Sequence, residues 1–246
     1  TDGDMWTGGD GFLTKLGKQQ SGDSIACTTY SSLMSGDNWS VFVNAIEGPD
    51  KTIWAAGARG LFTFSDGKLS QYALRDSTAI SISDIKKTPG NEVWLTTKGN
   101  GIWQCYFDEK GLLQLKKKYN TEDGLNTNSY LNILIDEQNN IWAVSYSGIS
   151  KIAFDHNKFF ISNYTANDGF PDKNYQSARL MQDSNKTIWI ITSDGLSYFN
   201  PQGPAQPEKN PLIVLNTVKA GDSIYYSNNT ASQNQPLILH YNENEL

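Results

Sequence analysis

Residue types that mark several common functions are scarce in this sequence. The 246 residues include only two cysteines, Cys27 and Cys105, and two histidines, His156 and His240. Two distant cysteines form no disulfide framework, and neither histidine lies near a cysteine, so a zinc site is not expected. Two unpaired thiols are the preferred interpretation, and a Cys27–Cys105 bond in an oxidising compartment is the alternative. No metal and no cofactor are expected.

Positive charge is also scarce. The formal net charge is −6 and the sequence pI is about 4.9. Because binding of phosphate groups needs clustered Lys and Arg, nucleic acid and anionic membrane are not expected as partners. The one basic run, Lys116 to Lys118, predicts a solvated strand edge. No signal peptide and no apolar run long enough to span a bilayer is recognisable, so any membrane attachment is expected through segments outside this chain.

The sequence is rich in a repeated short pattern. An aliphatic residue or Met precedes a Trp, and a Gly and a second apolar run follow, as in "TIWAAGARGLFTF" from Thr52 to Phe64. Forty to forty-eight residues separate successive repeat tryptophans, which are Trp6, Trp54, Trp94, Trp142 and Trp189. This period with strand-like content is typical of a β-propeller, and no segment shows the sustained 3.6-residue periodicity of a helical repeat.

One repeat can be divided into four strands. The segments "SYLNILIDEQ", "IWAVSY", "ISKIAF" and "KFFISNY" follow one another from Ser129 with short turns between them. Four antiparallel strands make one blade, and the Trp ring is expected to fill the space between blades. Turns with positive φ or close approach are predicted at the repeat glycines, which are Gly60, Gly101, Gly148 and Gly195. Trp39 and Trp103 lie outside the repeat position and are expected to be more exposed.

Two repeats resemble a known family. "DGL" at Asp123, a strand ending in Asp136 and "NNIWAVSYSGISKI" form one copy, and "DGF" at Asp168, then Asp183 and "TIWIITSDGLSYF", form another. These segments resemble the two-component regulator propeller repeat, which builds the periplasmic sensor region of hybrid two-component systems. The five repeats predict an all-β fold with about five four-stranded blades, and the resemblance implies that these are part of a seven-bladed propeller.

The C-terminal part resembles the domain that follows the propeller in such sensors. "NPQGPAQPEKNP" from Asn200 holds four of the eight prolines and reads as a boundary. The segments "PLIVLNTVKAGDSIYY" and "PLILHYNENEL" resemble the first strands of an immunoglobulin-like β-sandwich. The expected organisation is propeller repeats over 1–200, a Pro-rich linker over 201–211, and the truncated start of the sandwich over 212–246.

The resemblance implies a sensor without enzymatic activity in this segment. It implies a periplasmic region that binds an oligosaccharide, assembles as a homodimer and signals to a histidine kinase outside this chain. The alternatives are a protein-interaction propeller without a small ligand and a propeller glycoside hydrolase or sialidase.

Propeller geometry predicts where a ligand would bind. The turn between the second and third strands of a blade lies on the same face as the linker to the next blade, and such loops commonly carry binding residues. Donors, acceptors and aromatic rings suited to a saccharide occur there, and the expected ligand-binding residues are Arg59, Lys98, Tyr146, Asn174 and Tyr175. The alternative is that these are ordinary solvated turn residues.

The sequence gives little support to catalysis. A glycosidase needs two facing carboxyl groups, but the prominent acids recur at equivalent positions of the repeat, which indicates turn capping: Asp123, Asp136, Asp168 and Asp183. "GPDKTIW" and "DSNKTIW" only approach the sialidase Asp-box. A sialidase also needs three converging arginines, and nothing in the sequence marks Arg59, Arg75 and Arg179 as converging.

Overall fold

The protein is described by a computed structural model in which residues 5–10, 12–17, 26–30, 41–74, 80–156, 158–170, 177–201, 217–220 and 223–227 are placed. The chain divides into two compact units, Thr1–Pro201 and Gln202–Leu246. Within the described residues, β-strands are joined by turns and two short 3₁₀ turns, Thr121–Asp123 and Ala166–Asp168.

The first unit consists of five antiparallel sheets, each formed by strands consecutive in the chain. Blade 1 contains β1 (Met5–Gly9), β2 (Phe12–Leu16) and β3 (Cys27–Tyr30), and blade 2 contains β4 (Phe42–Glu47), β5 (Ile53–Gly57), β6 (Gly60–Ser65) and β7 (Lys68–Tyr72). Blade 3 contains β8 (Ile82–Lys87), β9 (Glu92–Thr97), β10 (Ile102–Phe107) and β11 (Leu113–Tyr119). Blade 4 contains β12 (Tyr130–Ile135), β13 (Ile141–Ser145), β14 (Gly148–Asp155) and β15 (Lys158–Tyr164), and blade 5 contains β16 (Arg179–Gln182), β17 (Ile188–Thr192) and β18 (Gly195–Phe199).

These sheets are the blades of a five-bladed β-propeller, which confirms the predicted fold class. The inner strands contact one another in chain order, from β1 through β4, β8 and β12 to β16. The predicted division of one repeat is also confirmed, since blade 4 has the antiparallel order β12-β13-β14-β15. Within the described residues blades 1 and 5 have three strands rather than four. Membership of a seven-bladed propeller stays a prediction.

The core lies between the blades. Trp54, Trp94 and Trp142 are at most 3% exposed, and each packs against the next blade. A ring of this size removes about 150–250 Å² from water, so each one contributes several kcal/mol. Trp103 is equally buried, at 1%, and its indole N–H donates to the Asn100 carbonyl at 2.8 Å. The expectation that Trp103 is more exposed is wrong, because it packs between blades 2 and 3; Trp39 lies outside the described residues.

Two repeat glycines are required by close backbone approach. Gly101 and Gly148 have φ values of 75° and 125°. A Cβ at Gly101 would lie 1.9 Å from the Tyr119 carbonyl oxygen, and one at Gly148 would lie 2.2 Å from that of Tyr164. Any side chain would therefore force the outer strand away from the turn.

Both cysteines are free, Cys27 being exposed and Cys105 buried. Burial raises the pKa of the Cys105 thiol to about 12, so this thiol is neutral and serves as an apolar core group.

The second unit is described over two strands only. β19 (Thr217–Ala220) pairs with β20 (Ser223–Ser227) in an antiparallel hairpin whose register shifts between Val218 and Lys219. The predicted linker and most of the predicted sandwich segment lie outside the described residues, so the domain boundaries stay a prediction. No helix in the described part of the chain is long and apolar enough to cross a membrane.

Candidate functional site

A cavity of about 260 Å³ opens at one end of the inner strands. Blades 2, 3, 4 and 5 all contribute to its wall, so it lies at the mouth of the propeller. Its apolar wall comes from Val41, Val43, Ile82 and Leu131, and its polar wall from Ser81, Ser83, Lys98, Tyr146, Ser177 and Arg179. We call this cavity the mouth.

Backbone hydrogen bonds carry the turns between the second and third strands to the mouth. The Ala58 amide donates to the Val41 carbonyl at 3.0 Å, and the Lys98 amide donates to the Ser81 carbonyl at 3.0 Å. Each turn is therefore attached to the residue just before its own inner strand. The linker after blade 3 joins the same face, since Gly101 donates to the Asn128 carbonyl at 2.7 Å.

The mouth contains more cationic than anionic side chains. Lys98 and Arg179 are exposed there beside the phenol of Tyr146, which is 57% exposed, and no carboxylate lines the cavity among the described residues. The Ser83 hydroxyl is buried and has no hydrogen-bond partner within the described ranges. These groups can donate hydrogen bonds to oxygen atoms of a ligand, and the phenol ring offers an apolar face.

A belt of polar side chains joins the inner strands beneath the mouth. The Asp84 carboxylate accepts from Asn44 Nδ2 at 2.8 Å, from the Ile133 amide at 3.1 Å and from Asn132 Nδ2. Asn132 Oδ1 in turn accepts from the Leu180 amide at 2.7 Å. Burial raises the pKa of Asp84 above its ordinary value, while the charge of Lys86 and the donors on the carboxylate offset part of that shift. The belt fixes the relative positions of the residues that form the floor of the mouth.

Arg179 occupies the repeat position of the belt in blade 5. Asn44, Asp84 and Asn132 each lie ten residues before a repeat tryptophan, and Arg179 lies ten residues before Trp189. Its guanidinium Nη1 donates to the Ala178 carbonyl at 3.0 Å. Sequence reasoning did not select Arg179 for the site, although alignment of the inner strands by their tryptophans would have revealed the departure from Asn or Asp.

The structure brings two of the five predicted ligand-binding residues together. Lys98 and Tyr146 both line the mouth. Arg59 lines a separate cavity of about 380 Å³ between blades 2 and 3, near Trp103. Asn174 and Tyr175 lie outside the described residues. The assignment of ligand-binding roles to these residues stays a prediction.

The recurring acids lie in turns. The Asp123 carboxylate accepts from the Asn120 amide at 3.1 Å, and that of Asp168 accepts from the Thr165 amide at 2.8 Å. Asp136 and Asp183 each accept an indole N–H of their own blade at 2.8 Å. Each of these carboxylates thus stabilises a local turn.

The arginines and possible metal ligands show no catalytic grouping. Arg59 and Arg179 line different cavities, and Arg75 lies outside the described residues. The part of the chain that the structure describes contains no group of three or more His, Cys, Asp or Glu placed to hold a metal ion.

Comparison with known proteins places the chain by its fold. No protein-family model matches the chain, and no curated protein matches its sequence. Among solved structures it is similar to an extracellular domain assigned to the hybrid two-component system BT4673 from B. thetaiotaomicron, with a TM-score of 0.62 and 18% identity over 82% of this chain and 28% of that one. It is also similar to the corresponding domain of BT3049 from the same organism, with a TM-score of 0.61 and 15% identity over 83% of this chain and 26% of that one.

An enzyme has the same type of fold. Virginiamycin B lyase from Staphylococcus aureus matches with a TM-score of 0.52 and 15% identity, over 83% of this chain and 68% of the lyase. Identities this low establish the β-propeller fold alone. The chain spans less than a third of the two extracellular domains that it matches.

Proposed function

We propose that this chain is part of the extracytoplasmic ligand-sensing region of a two-component receptor. The observation that carries the proposal is the fold, which matches extracellular domains assigned to hybrid two-component systems at the highest TM-scores quoted above. The repeat segments around Trp142 and Trp189, with their resemblance to the regulator propeller repeat, support the same function.

An oligosaccharide is the proposed ligand, and the mouth is its proposed site. Lys98 and Arg179 supply hydrogen-bond donors to sugar oxygens, and the ring of Tyr146 supplies an apolar surface for a sugar ring. Lys98 and Tyr146 lie on turns between the second and third strands of their blades, and Arg179 lies on the inner strand β16, so an ordered backbone limits the entropy lost on binding.

The proposed mechanism is a change in the populations of two arrangements of a dimeric sensor region. The ligand shifts the equilibrium only by its preference for one arrangement over the other. A histidine kinase outside this chain reads the shift. In this proposal the chain itself has no enzymatic activity, and the receptor is anchored in the inner membrane by segments outside it.

A glycan-library screen by calorimetry tests the proposal. The chain and the complete receptor are titrated with neutral and acidic oligosaccharides, and the sugars are then analysed for cleavage. We expect one oligosaccharide to bind both without being cleaved, and Lys98→Ala or Tyr146→Ala to weaken binding about tenfold. Lys68→Ala, an exposed lysine on the outer strand of blade 2, is the matched control and should bind normally.

Each remaining outcome has a distinct meaning. Cleavage of the sugar would replace the sensor proposal with an enzymatic one. Absence of binding to both samples would favour a propeller that recognises a protein. Binding that is insensitive to both mouth variants would place the ligand elsewhere.

A further inference from the structure

A second and larger cavity lies between blades 3 and 4 and shares no lining residue with the mouth. Its volume is about 870 Å³, and it is formed by the turn between β8 and β9, the outer strands of blade 3 and the facing turns of blade 4. We call it the groove. Four aromatic side chains line it, namely Trp94, Tyr119, Phe154 and Phe159.

Blade 3 departs from the repeat at the positions that line the groove. Six residues before the tryptophan, blades 4 and 5 carry Asp136 and Asp183, whereas blade 3 carries Thr88. Two residues before it, the other complete repeats carry Thr or Asn, whereas blade 3 carries Glu92. Residues that build the turn elsewhere are thus replaced in this blade, and Thr88 and Glu92 both border the groove.

Glu92 and Lys116 form an acceptor–donor pair at the groove wall. Glu92 Oε1 accepts from Lys116 Nζ at 2.7 Å and from Gln104 Nε2 at 2.9 Å. The side chains remain 36% and 52% exposed, so a ligand can reach both. The Glu92 carboxylate can accept from one hydroxyl while the Lys116 ammonium group donates to the next, which matches the vicinal hydroxyls of a sugar ring.

The charges of the groove are balanced. Lys116 is paired with Glu92, and Lys117 Nζ lies 3.3 Å from the Asp123 carboxylate. Lys117 Nζ also lies 3.8 Å from the centre of the Phe159 ring. Because each of these lysines already has an anionic neighbour, neither is left unpaired for an anionic ligand, which favours a neutral one.

The aromatic wall includes an accessible ring. Phe154 is 44% exposed and lies 5.8 Å from Trp94 between ring centres. An aromatic face at the edge of a polar groove suits the apolar face of a pyranose ring. The groove therefore combines an aromatic surface with hydroxyl-binding groups.

The indole N–H of Trp94 has no acceptor in its own turn. In blades 4 and 5 the equivalent N–H donates to Asp136 or Asp183, but Trp94 Nε1 has no hydrogen-bond partner among the described residues. Thr88 stands where that carboxylate would be, and both residues line the groove. Trp6 and Trp54 also have no indole acceptor among the described residues, so what distinguishes Trp94 is that its ring lines the groove.

We propose that the groove binds a neutral oligosaccharide. In this site Phe154 contacts a sugar ring, and Glu92 with Lys116 binds adjacent hydroxyls. The biological role of the site rests on the proposed sensor function, but the groove is separate from the mouth and its binding is measured independently.

Calorimetry on the 246-residue chain tests the groove. The probes are cellotriose, maltotriose, mannotriose and xylotriose, with trigalacturonate as an anionic comparison. We expect at least one neutral trisaccharide to bind, and Phe154→Ala and Glu92→Gln each to weaken it about tenfold. Tyr106→Ala is the matched control, because Tyr106 is 43% exposed on the same pair of blades but does not line the groove.

Because a substituted chain can fail to fold, a second measurement uses the unaltered chain. In nuclear magnetic resonance spectra, the bound trisaccharide should shift the indole N–H signal of Trp94. The signals of Trp142 and Trp189, which Asp136 and Asp183 hold, should stay in place.

The outcomes separate the groove from the sensor proposal. If Tyr146→Ala abolishes trisaccharide binding and Phe154→Ala does not, the groove proposal is overturned and the sensor proposal stands. Failure of every neutral trisaccharide to bind at about millimolar concentration also overturns the groove proposal. The sensor proposal is then decided by the response of the complete receptor to the glycan library.

Discussion

Blades 4 and 5 hold their central tryptophan differently from blades 2 and 3. Asp136 and Asp183 close the turn between the first two strands of their blades and accept the indole N–H of Trp142 and Trp189 at 2.8 Å. At the same position blade 2 has Gly48 and blade 3 has Thr88. The indole nitrogens of these two blades, in Trp54 and Trp94, have no partner among the described residues.

The carboxylate supports the whole turn. Asp136 accepts from the backbone amides of Gln138 and Asn140 at 2.9 Å and from Asn140 Nδ2 at 2.9 Å, in addition to the indole. Gly48 has no side chain to make these bonds, and Thr88 makes only one of them, with its hydroxyl accepting from the Glu92 amide at 3.1 Å, yet Trp54 and Trp94 remain at most 2% exposed. Burial of the ring thus suffices to hold the tryptophan, and the hydrogen bond adds to it. A blade without the carboxylate is free to use the surrounding positions for another purpose, as the groove beside blade 3 illustrates.

Removing the carboxylate from blade 4 should change the stability more than any other substitution considered below. Asp136→Ala leaves the indole of Trp142 and two turn amides without their acceptor, and Asp136 is only 6% exposed. We expect the free energy of unfolding to fall by about 3 kcal/mol in urea denaturation. Asp155→Ala, which removes an exposed acid at the end of β14 in the same blade, should change it little. A similarly small effect of Asp136→Ala would mean that the carboxylate does not support the turn.

Blade 2 should not tolerate a side chain at the same position. A Cβ at Gly48 would lie 2.8 Å from Trp54 Nε1, so Gly48→Ala forces the buried ring to move. We expect a loss of about 1–2 kcal/mol in the free energy of unfolding. Gly90→Ala is the control, because its Cβ would have nothing nearer than the Thr88 hydroxyl at 3.8 Å. Equal stability of the two variants would contradict the crowding at Gly48.

Blade 3 should gain stability when it is given the missing carboxylate. Thr88→Asp supplies an acceptor for Trp94 Nε1 and retains one for the Glu92 amide, which now donates to the Thr88 hydroxyl at 3.1 Å. We expect a gain of about 1 kcal/mol in the free energy of unfolding, together with weaker trisaccharide binding in the groove. Thr88→Val, which adds no acceptor, should not be stabilised. A loss of stability in Thr88→Asp would show that the two turns are not equivalent.

The smallest effect should be on the pH dependence of the melting temperature, through Asp183 in blade 5. The hydrogen bond from Trp189 lowers the pKa of Asp183 below its ordinary value, and the Thr187 and Asn185 amides lower it further. A lowered carboxyl pKa stabilises the fold above the ordinary pKa of about 4 and loses that effect as the pH falls through the lowered value. The melting temperature of the native chain should therefore exceed that of Asp183→Asn at pH 7, and the gap should close at low pH. If the difference in melting temperature between the two chains did not change with pH, the charge of Asp183 would have no role in stability.

The repeated pattern was enough to predict the blades. A tryptophan every forty to forty-eight residues with strand-like content indicated five sheets, and the division of blade 4 into four strands agrees with β12 to β15. The same pattern misjudged Trp103, because burial between blades 2 and 3 depends on the neighbouring blade and not on the repeat position.

The site was predictable only in part. Assigning turns to one face correctly placed Lys98 and Tyr146 at one end of the inner strands, but it also selected Arg59, which lines a different cavity. Arg179 was missed because it lies at the start of an inner strand, where a turn-based search does not look. The groove was missed because its walls come from blade 3 and from residues of blade 4 distant in sequence.

The blade is a local unit that the amino-acid pattern specifies, because alternating side chains, turn glycines and the tryptophan act within about fifty residues. Which residues meet at the mouth, and where two blades leave a groove, depends on the packing of the blades in three dimensions. Those features depend on side-chain volume and hydrogen bonding across neighbouring blades, as in the contacts of Asp84 with Asn44 and Asn132. The repeat defines which positions in the chain are equivalent. The cavities depend on how blades with different residues at those positions pack against each other.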